Sequence, residues 1–350
     1  MRYKFLGNTG IKVSELCLGT MTFGDKWNNG ANEAESLEVA AAYAEAGGNF
    51  LDTANKYHEG QSEEICGKII AGNRNRWVLA TKYTSNMGMG DPNMAGNSRK
   101  NMMQAVHASL KRLGTDYIDL YWVHAWDFTT ATEEVMRGLD DLVRSGKVLS
   151  IGVSDTPAWI VSQANTIAQF RGWNAFAALQ IEYSLIERTV ERDLVPMARA
   201  FGLTVTPWGP LGGGVLTGKY SRGGGGTPED SKRAANNTRR VSEKNLKIAR
   251  EVDAIADELG KTSTQVAINW LRGRGADILP IFGARKVSQL QDVIGAVNFT
   301  LSAEHMKRLN DASAIELGFP HDFAANPFIR TLVFSDKVAQ IDLPPAAQPR

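Results

Sequence analysis

The chain has 350 residues, 43% of them hydrophobic, enough to bury a large core, and its 39 Lys plus Arg nearly balance 38 Asp plus Glu for a formal charge of +1. So even a balance excludes a global field for nucleic acid or an anionic membrane, and an anionic ligand must be met by local groups. The opening MRYKFLGNTG lacks the apolar core of a secretory signal, and no run of about 18 apolar residues offers a bilayer span, so a soluble, cytoplasmic protein is expected.

In chain order, YKFLGNTGIKVS reads as a small hairpin within residues 1–14, able to cap the floor of whatever follows. Then short apolar runs rich in β-branched or aromatic residues recur, each followed by an amphipathic helical pattern. The runs are LCLGT (16–20), NFLDTA (49–54), WVLATK (77–82), YIDLYWVH (117–124), VLSIGVS (148–154), FAALQIEY (176–183), LTVTPW (203–208) and DILPIFGA (277–284). Helix ends are legible between them. Ser98 opens a Met103, Val106, Leu110, Leu113 stripe closed by Gly114, and Thr132 opens Val135, Leu139, Leu142 closed by Gly146. Ser242 opens a long helix closed by Gly260, and Val266, Ala267, Trp270 and Leu271 mark another. Eight strand-helix units without an internal linker predict an α/β fold, a single (β/α)8 TIM barrel over residues 1–350, in preference to a doubly wound open sheet.

Two further segments lie outside the repeat. Residues 219–241 form a glycine-rich excursion, either a surface loop or a cofactor lid bringing Lys219, Arg233, Arg239 and Arg240 over an anion. Residues 315–350 form an extended C-terminal segment whose last residues lack core-forming content. The two cysteines, Cys17 and Cys66, show no CxxC or metal-ligand spacing and read as structural thiols.

Catalytic groups of such a barrel gather where strands finish. The second strand ends on Asp52, the third on Lys82 and the fourth on His124, while Tyr57 follows in the second loop. Singly these are a turn cap, a solvated strand end and a core histidine; at three successive strand ends, the catalytic reading is preferred. Tyrosine, with an ordinary pKa of about 10, is a poor proton donor to a carbonyl unless its phenolate is stabilised. A lysine ammonium at about 4 Å supplies roughly 4 kcal/mol at an effective dielectric near 20, about 3 pKa units before desolvation pushes the other way, and the net direction expected for the Tyr57 hydroxyl is down. Asp52 then keeps Lys82 charged, and a neutral His124 orients the carbonyl. The set protonates an oxygen; it offers no nucleophile, and neither an HxH pair nor a carboxylate cluster suggests a metal.

Such chemistry needs a hydride source. No GxGxxG follows the first strand. Instead PWGPLGGG (207–214) ends the seventh strand with Trp208 and a glycine-rich turn suited to a pyrophosphate, and GARKVSQLQD (283–292) puts Arg285 and Lys286 at a helix start. Trp208 can stack on a nicotinamide, and Ser154, Asp155 and Gln180 can bond its carboxamide.

With these residues the sequence resembles the aldo-keto reductases. The matching pieces are LGTMTFG (18–24), FLDTANKYHEGQSEE (50–64), VLATK (78–82), SLKRLGTDYIDLYWVH (109–124), IGVSD (151–155), LQIEYSLIER (179–188), WGPLGGGVLTGKY (208–220) and FGARKVSQLQD (282–292), nearly the whole chain. The resemblance implies an NADP(H)-dependent interconversion of aldehydes or ketones with alcohols, and a catalytic tetrad of Asp52, Tyr57, Lys82 and His124 with Tyr57 as acid. It places Trp208 on the nicotinamide, Ser154, Asp155 and Gln180 on the carboxamide, and Gly212, Gly213 and Lys219 around the pyrophosphate. Arg233, Gly283, Arg285, Gln289 and Asp292 fall around the adenosine end. Thr20, Met21, Asp52, Gly209, Pro210 and Leu211 count among its cofactor contacts as well. One departure is Asp155, where the family more often has Asn; a carboxylate accepts from the carboxamide but cannot donate to it.

The nearest branches are the aryl-alcohol-dehydrogenase-like and potassium-channel-β-like ones. The second suggests a rival reading, a redox-sensing subunit that holds NADPH with little turnover, but such subunits carry Asn where this chain has His124. Trp27, Met87, Met89 and Trp126 in the loops, with the aromatics of GFPHDFAANPF (318–328), suit an apolar or aromatic carbonyl substrate, unless they serve only local packing. The protein is expected to work as a monomer or homo-oligomer.

Overall fold

A computed structural model describes residues 1–27, 30–88, 90–223 and 240–342. The N-terminal hairpin pairs β1 (Tyr3–Phe5) with β2 (Lys12–Ser14) antiparallel. Eight strands then form one sheet: β3 (Cys17–Gly19), β4 (Phe50–Asp52), β5 (Val78–Tyr83), β6 (Ile118–Val123), β7 (Val148–Ser154), β8 (Phe176–Glu182), β9 (Thr204–Trp208) and β10 (Ile281–Phe282), all parallel to their neighbours. The order runs β10-β3-β4-β5-β6-β7-β8-β9, and Val205 closes the circle, its N–H donating to Asp277 O and its carbonyl accepting from Leu279 N, both at 2.9 Å. The chain is a (β/α)8 barrel with an N-terminal hairpin.

The helices are α1 (Glu33–Glu45), α2 (Gln61–Ile70), α3 (Arg99–Leu113), α4 (Thr132–Arg144), α5 (Ala158–Arg171), α6 (Leu194–Ala200), α7 (Glu243–Leu259), α8 (Ser263–Arg272), α9 (Val287–Gly295) and α10 (Ala303–Ala312), followed by α11 (His321–Ala325) and α12 (Pro327–Phe334). Ser98 and Ser242 cap α3 and α7 through their hydroxyls, and Gly114 and Gly260 end those helices in the left-handed conformation. Two details differ from the sequence reading. Thr132 is the first residue of α4 rather than its cap, because its hydroxyl donates to Gln163 of α5 while Ala131 holds the cap position. On α3 the fully buried methionine is Met102, which packs with Val106 and Leu113, and Met103 and Leu110 flank them. Among the described residues no helix is long and apolar enough to cross a membrane.

Side chains alternate across each strand. On β5, Leu79 and Tyr83 turn outward into the core shared with the helices, while Val78 and Ala80 turn into the barrel. The interior fills with Phe50, Val78, Ala80, Leu120, Trp122, Ala178 and Leu279, and the hairpin adds Leu6 and Val13, so it plugs the floor. Trp122 takes the most space, and Gly152 on β7 makes room for it: a Cβ there would lie 2.4 Å from the indole ring. The same parity that sends Phe50, Ala80 and Trp122 inward sends Asp52, Lys82 and His124 inward, one step further along, at the end where the strands finish.

Candidate active site

Lys82 is fully buried and spends its three ammonium hydrogens on three acceptors: Asp52 Oδ2 at 2.5 Å, Thr53 O at 2.8 Å and Tyr57 Oη at 3.2 Å. Burial, the largest influence, works to strip its proton, but Asp52 and then Tyr57 prevail and hold the lysine above its ordinary range. A buried carboxylate-ammonium pair that is fully hydrogen-bonded is the arrangement in which a lysine stays charged. Tyr57 comes from a short turn, Tyr57–Gly60, in which His58 and Glu59 have φ of 49° and 56°, and this left-handed kink turns the phenol back over β4 and β5. The His58 ring fastens the turn to the β3–α1 loop, accepting from Trp27 N at Nδ1 and facing Met21 O through Nε2, both at 3.2 Å. Trp27 stacks on His58 at 4.7 Å and meets Tyr57 edge-on at 6.3 Å.

His124 closes the group, its ring 5.9 Å from that of Tyr57 and nearly perpendicular to it. Ser85 Oγ lies 3.4 Å from His124 Nδ1. Burial first, and the Lys82 charge second, push the imidazole down to about 3, so it is neutral at physiological pH. Tyr57 and His124 are half-buried, and enclosure by the surrounding protein is the leading cause of shift for both.

For Tyr57 that direction corrects the sequence expectation. Its hydroxyl lies above its ordinary range, not below it. Lys82 does draw it down, but burial draws it up more strongly, and Asp52, seated on the same ammonium, offsets part of the cation's field. The expectation from sequence took the lysine's pull to outweigh the cost of enclosing the phenol, and the packing around Tyr57 reverses that balance.

The residues expected around a nicotinamide are partly engaged with one another. Gln180 Nε2 donates to Asp52 Oδ1 at 3.2 Å, and Trp208 Nε1 donates to Asp155 Oδ1 at 3.0 Å, with Asp155 held at φ 45°. An indole N–H can only donate and a carboxylate only accept, so Asp155 suits Trp208. Ser154 Oγ is buried and completes no regular hydrogen bond among the described residues, though it lies near enough to Asp155 to help draw that carboxyl down, so it has capacity left for a ligand. Thr20 is fully buried behind Asp52, its hydroxyl shared with Asp52 O and Ser62, whereas Met21 stands exposed at the rim.

In the turn after β9, Gly209, Gly212 and Gly213 have φ of 65°, 57° and 66°, the left-handed region that favours glycine, and a Cβ at Gly212 would also push the tip of the Ile186 side chain aside. Gly212 N and Gly214 N donate to Gly209 O and Leu211 O, so these amides shape the turn; Pro210 is buried beside it and Lys219 lies over the Tyr220 ring. Beyond β10, Gly283 and Arg285 are exposed, Gln289 accepts from Arg285 N at 2.9 Å, and Asp292 accepts from the Thr262 hydroxyl that caps α8. Arg233, Arg239 and Met89 lie outside the described residues. Arg240 pairs with Glu182.

The expected aromatic lining is only partly gathered. Trp27 stands beside Tyr57, but Trp126 is 8% exposed within the core between barrel and helices. Phe319, Phe323 and Phe328 are 84%, 53% and 67% exposed, and Phe319 packs only against Phe323 among the ring contacts of the described residues. Packing, rather than pocket lining, accounts for Trp126. Missed by sequence reasoning were Thr84, Ser85 and the loop residues that hold His124; they are ordinary polar loop residues, and only the fold brings them to the histidine.

This geometry agrees with two comparisons. The aldo/keto reductase family matches residues 15–314. The chain belongs to that family. Norsolorinic acid reductase A of Aspergillus parasiticus is 39% identical over 326 residues, covering 90% of this chain and 82% of its own length. The aryl-alcohol dehydrogenase [NADP(+)] of Phanerodontia chrysosporium is 38% identical over 335 residues, covering 89% and 86%, and a putative aryl-alcohol dehydrogenase of Saccharomyces cerevisiae is 36% identical over 338, covering 91% and 88%. This aldo/keto reductase is therefore similar along nearly its whole length to carbonyl and alcohol oxidoreductases.

Proposed function

We propose that this aldo/keto reductase interconverts aldehydes or ketones and alcohols with NADP(H), and that Tyr57 is the general acid and base. The observation that carries the reading is the contact of Lys82 Nζ with Tyr57 Oη at 3.2 Å while the same ammonium is held by Asp52. An ammonium can only donate, so Tyr57 Oη accepts from it and its own hydrogen points elsewhere, available to a carbonyl oxygen in the opening. As that proton leaves, the phenolate forms against a fixed positive charge. Neutral His124 donates through Nε2 when Ser85 donates to Nδ1, and so orients the same oxygen. In the reverse direction, Tyr57 takes the alcohol proton.

The reduced nicotinamide, when bound, supplies the hydride that goes to the carbonyl carbon. The buried Ser154 hydroxyl, with Gln180 and Trp208, fits its ring end, and Gly212, Gly213, Lys219, Arg285, Gln289 and Asp292 fit the phosphate and adenosine end. The names of the relatives, with Trp27 beside Tyr57, favour aromatic or other apolar carbonyl substrates. The whole chain is read as one catalytic domain, with the hairpin as floor cap and residues 315–350 as an appended segment; residues 224–239, the bulk of the stretch expected as a surface loop or a cofactor lid, lie outside the described residues. The test is Tyr57→Phe, assayed by NADPH absorbance on a panel of aldehydes, ketones and alcohols with NADH in parallel. Turnover should fall by orders of magnitude with cofactor affinity kept; near-normal turnover would remove Tyr57 from its role.

A further inference from the structure

Strand β5 stops at Tyr83 because Thr84 takes φ 93°, a conformation that a β-branched residue holds only when its surroundings impose it. Those surroundings are a polar clasp between the β5–α3 and β6–α4 loops. Its hub is Asn97, fully buried, whose Nδ2 donates to Thr84 Oγ1 and to Ala125 O, both at 2.9 Å. Asn97 N donates to Asp127 Oδ2 at 2.6 Å, and Asn97 Oδ1 accepts from Asp127 N at 2.7 Å. Asp127 in turn accepts from the N–H groups of Thr129 and Thr130 at 2.8 Å and from the Thr130 hydroxyl at 2.7 Å. Gly96 N donates to Thr84 O at 2.8 Å and completes the hold on Thr84.

Between the two loops stands His124. The last ladder pair of β5 and β6 is Tyr83 with Val123. One residue later His124 N donates to the Thr84 side chain, Oγ1, at 3.3 Å, while its ring nitrogen Nδ1 lies 3.4 Å from the neighbouring Ser85 Oγ. A side-chain oxygen thus continues the strand ladder. Glycine would adopt φ 93° without steric cost, so a loop tie alone gives no reason for a β-branched residue here. The hydroxyl gives one, since it is the atom shared by Asn97 and His124.

We infer that Thr84 is a positioning residue for His124: its hydroxyl, aimed by Asn97 and Asp127, fixes where the imidazole meets the substrate oxygen beside Tyr57. This rests on the role proposed for His124 above. A displacement of about 1 Å at a reacting group lowers turnover by about 100-fold, so a small change here reaches the chemistry.

The test compares Thr84→Ser, Thr84→Val and Thr84→Gly, measuring kcat and KM for benzaldehyde reduction, NADPH affinity by fluorescence, and melting temperature. Thr84→Ser keeps the oxygen and should stay within about threefold of the parent. Thr84→Val and Thr84→Gly should lose about 10- to 100-fold in kcat/KM with NADPH affinity unchanged. Thr84→Gly relieves the backbone but takes the acceptor from Asn97 Nδ2 and His124 N, so it should fold with a modestly lower melting temperature, and it carries the test if Thr84→Val does not fold. Made in a His124→Gln background, the Val substitution should cost nothing more. Unimpaired Val and Gly variants, an equal further loss without His124, or a loss that Ser fails to restore would each overturn the inference. If the parent reduces no carbonyl with either nucleotide, the proposed function fails instead, and the His124 ring resonances of the ligand-free protein then decide. Thr84→Val should shift them while Thr84→Ser leaves them in place, and unchanged resonances in Thr84→Val overturn the positioning role.

Discussion

Lys82→Met is the sharpest perturbation of the tetrad, because one substitution removes a charge that two arguments use. With Lys82 Nζ 3.2 Å from Tyr57 Oη, a unit charge stabilises the phenolate by about 5 kcal/mol at an effective dielectric of 20, or about 4 pKa units. If about half of this is felt when the proton is in flight, kcat for carbonyl reduction falls about 100-fold; if all of it is, the loss approaches 10⁴-fold. Stability changes too, since Asp52, 2% exposed, loses its cation and a buried pair broken on one side costs about 3 to 5 kcal/mol. The assay is NADPH oxidation with an aromatic aldehyde at saturating cofactor, with chemical denaturation in parallel. The double variant Asp52→Asn/Lys82→Met should regain most of the stability and none of the turnover. A single variant within tenfold of the parent kcat, at normal cofactor affinity, would refute the idea that this ammonium makes Tyr57 a usable acid.

Two further outcomes follow from the same geometry. Reduction requires the Tyr57 proton and a neutral His124, and with the phenol held above its ordinary value and the imidazole at about 3, the rate should stay level from about pH 5 to 9 and decline only as pH rises through the tyrosine's range. An acid limb near pH 6.5 that disappears in His124→Gln would contradict it; because the folded His124 binds its proton less tightly than the unfolded one, stability should drop as pH falls from about 6.5 toward 3. Ser154→Ala removes a buried hydroxyl whose contact with Asp155 is weak, so the ligand-free protein should change in stability by no more than about 1 kcal/mol, while NADP(H) affinity falls about tenfold. Thermal melts with and without NADP+ check this, and equal stabilisation of both proteins by the nucleotide would take Ser154 out of the cofactor site.

The amino-acid sequence alone determined the repeat, and with it the fold. Eight apolar runs with helical patterns between them leave few closed arrangements, and the parity of each strand decides which side chains enter the barrel. Asp52, Lys82 and His124 could be read as neighbours because each occupies an inward position one step beyond Phe50, Ala80 and Trp122, residues the interior must bury. Such information is local and periodic, and it survives without coordinates.

Only the tertiary structure decided how these groups interact. The balance between the Lys82 field and enclosure of the phenol depends on all the atoms packed around Tyr57, and its sign reversed once they were in place. The bonds of Gln180 to Asp52 and of Trp208 to Asp155 join residues 128 and 53 positions apart, with no spacing to announce them. The same holds for the clasp behind His124: Thr84, Asn97 and Asp127 look like ordinary loop residues, and their role arises because two separate loops are folded onto one strand end, where every buried polar group must find a partner.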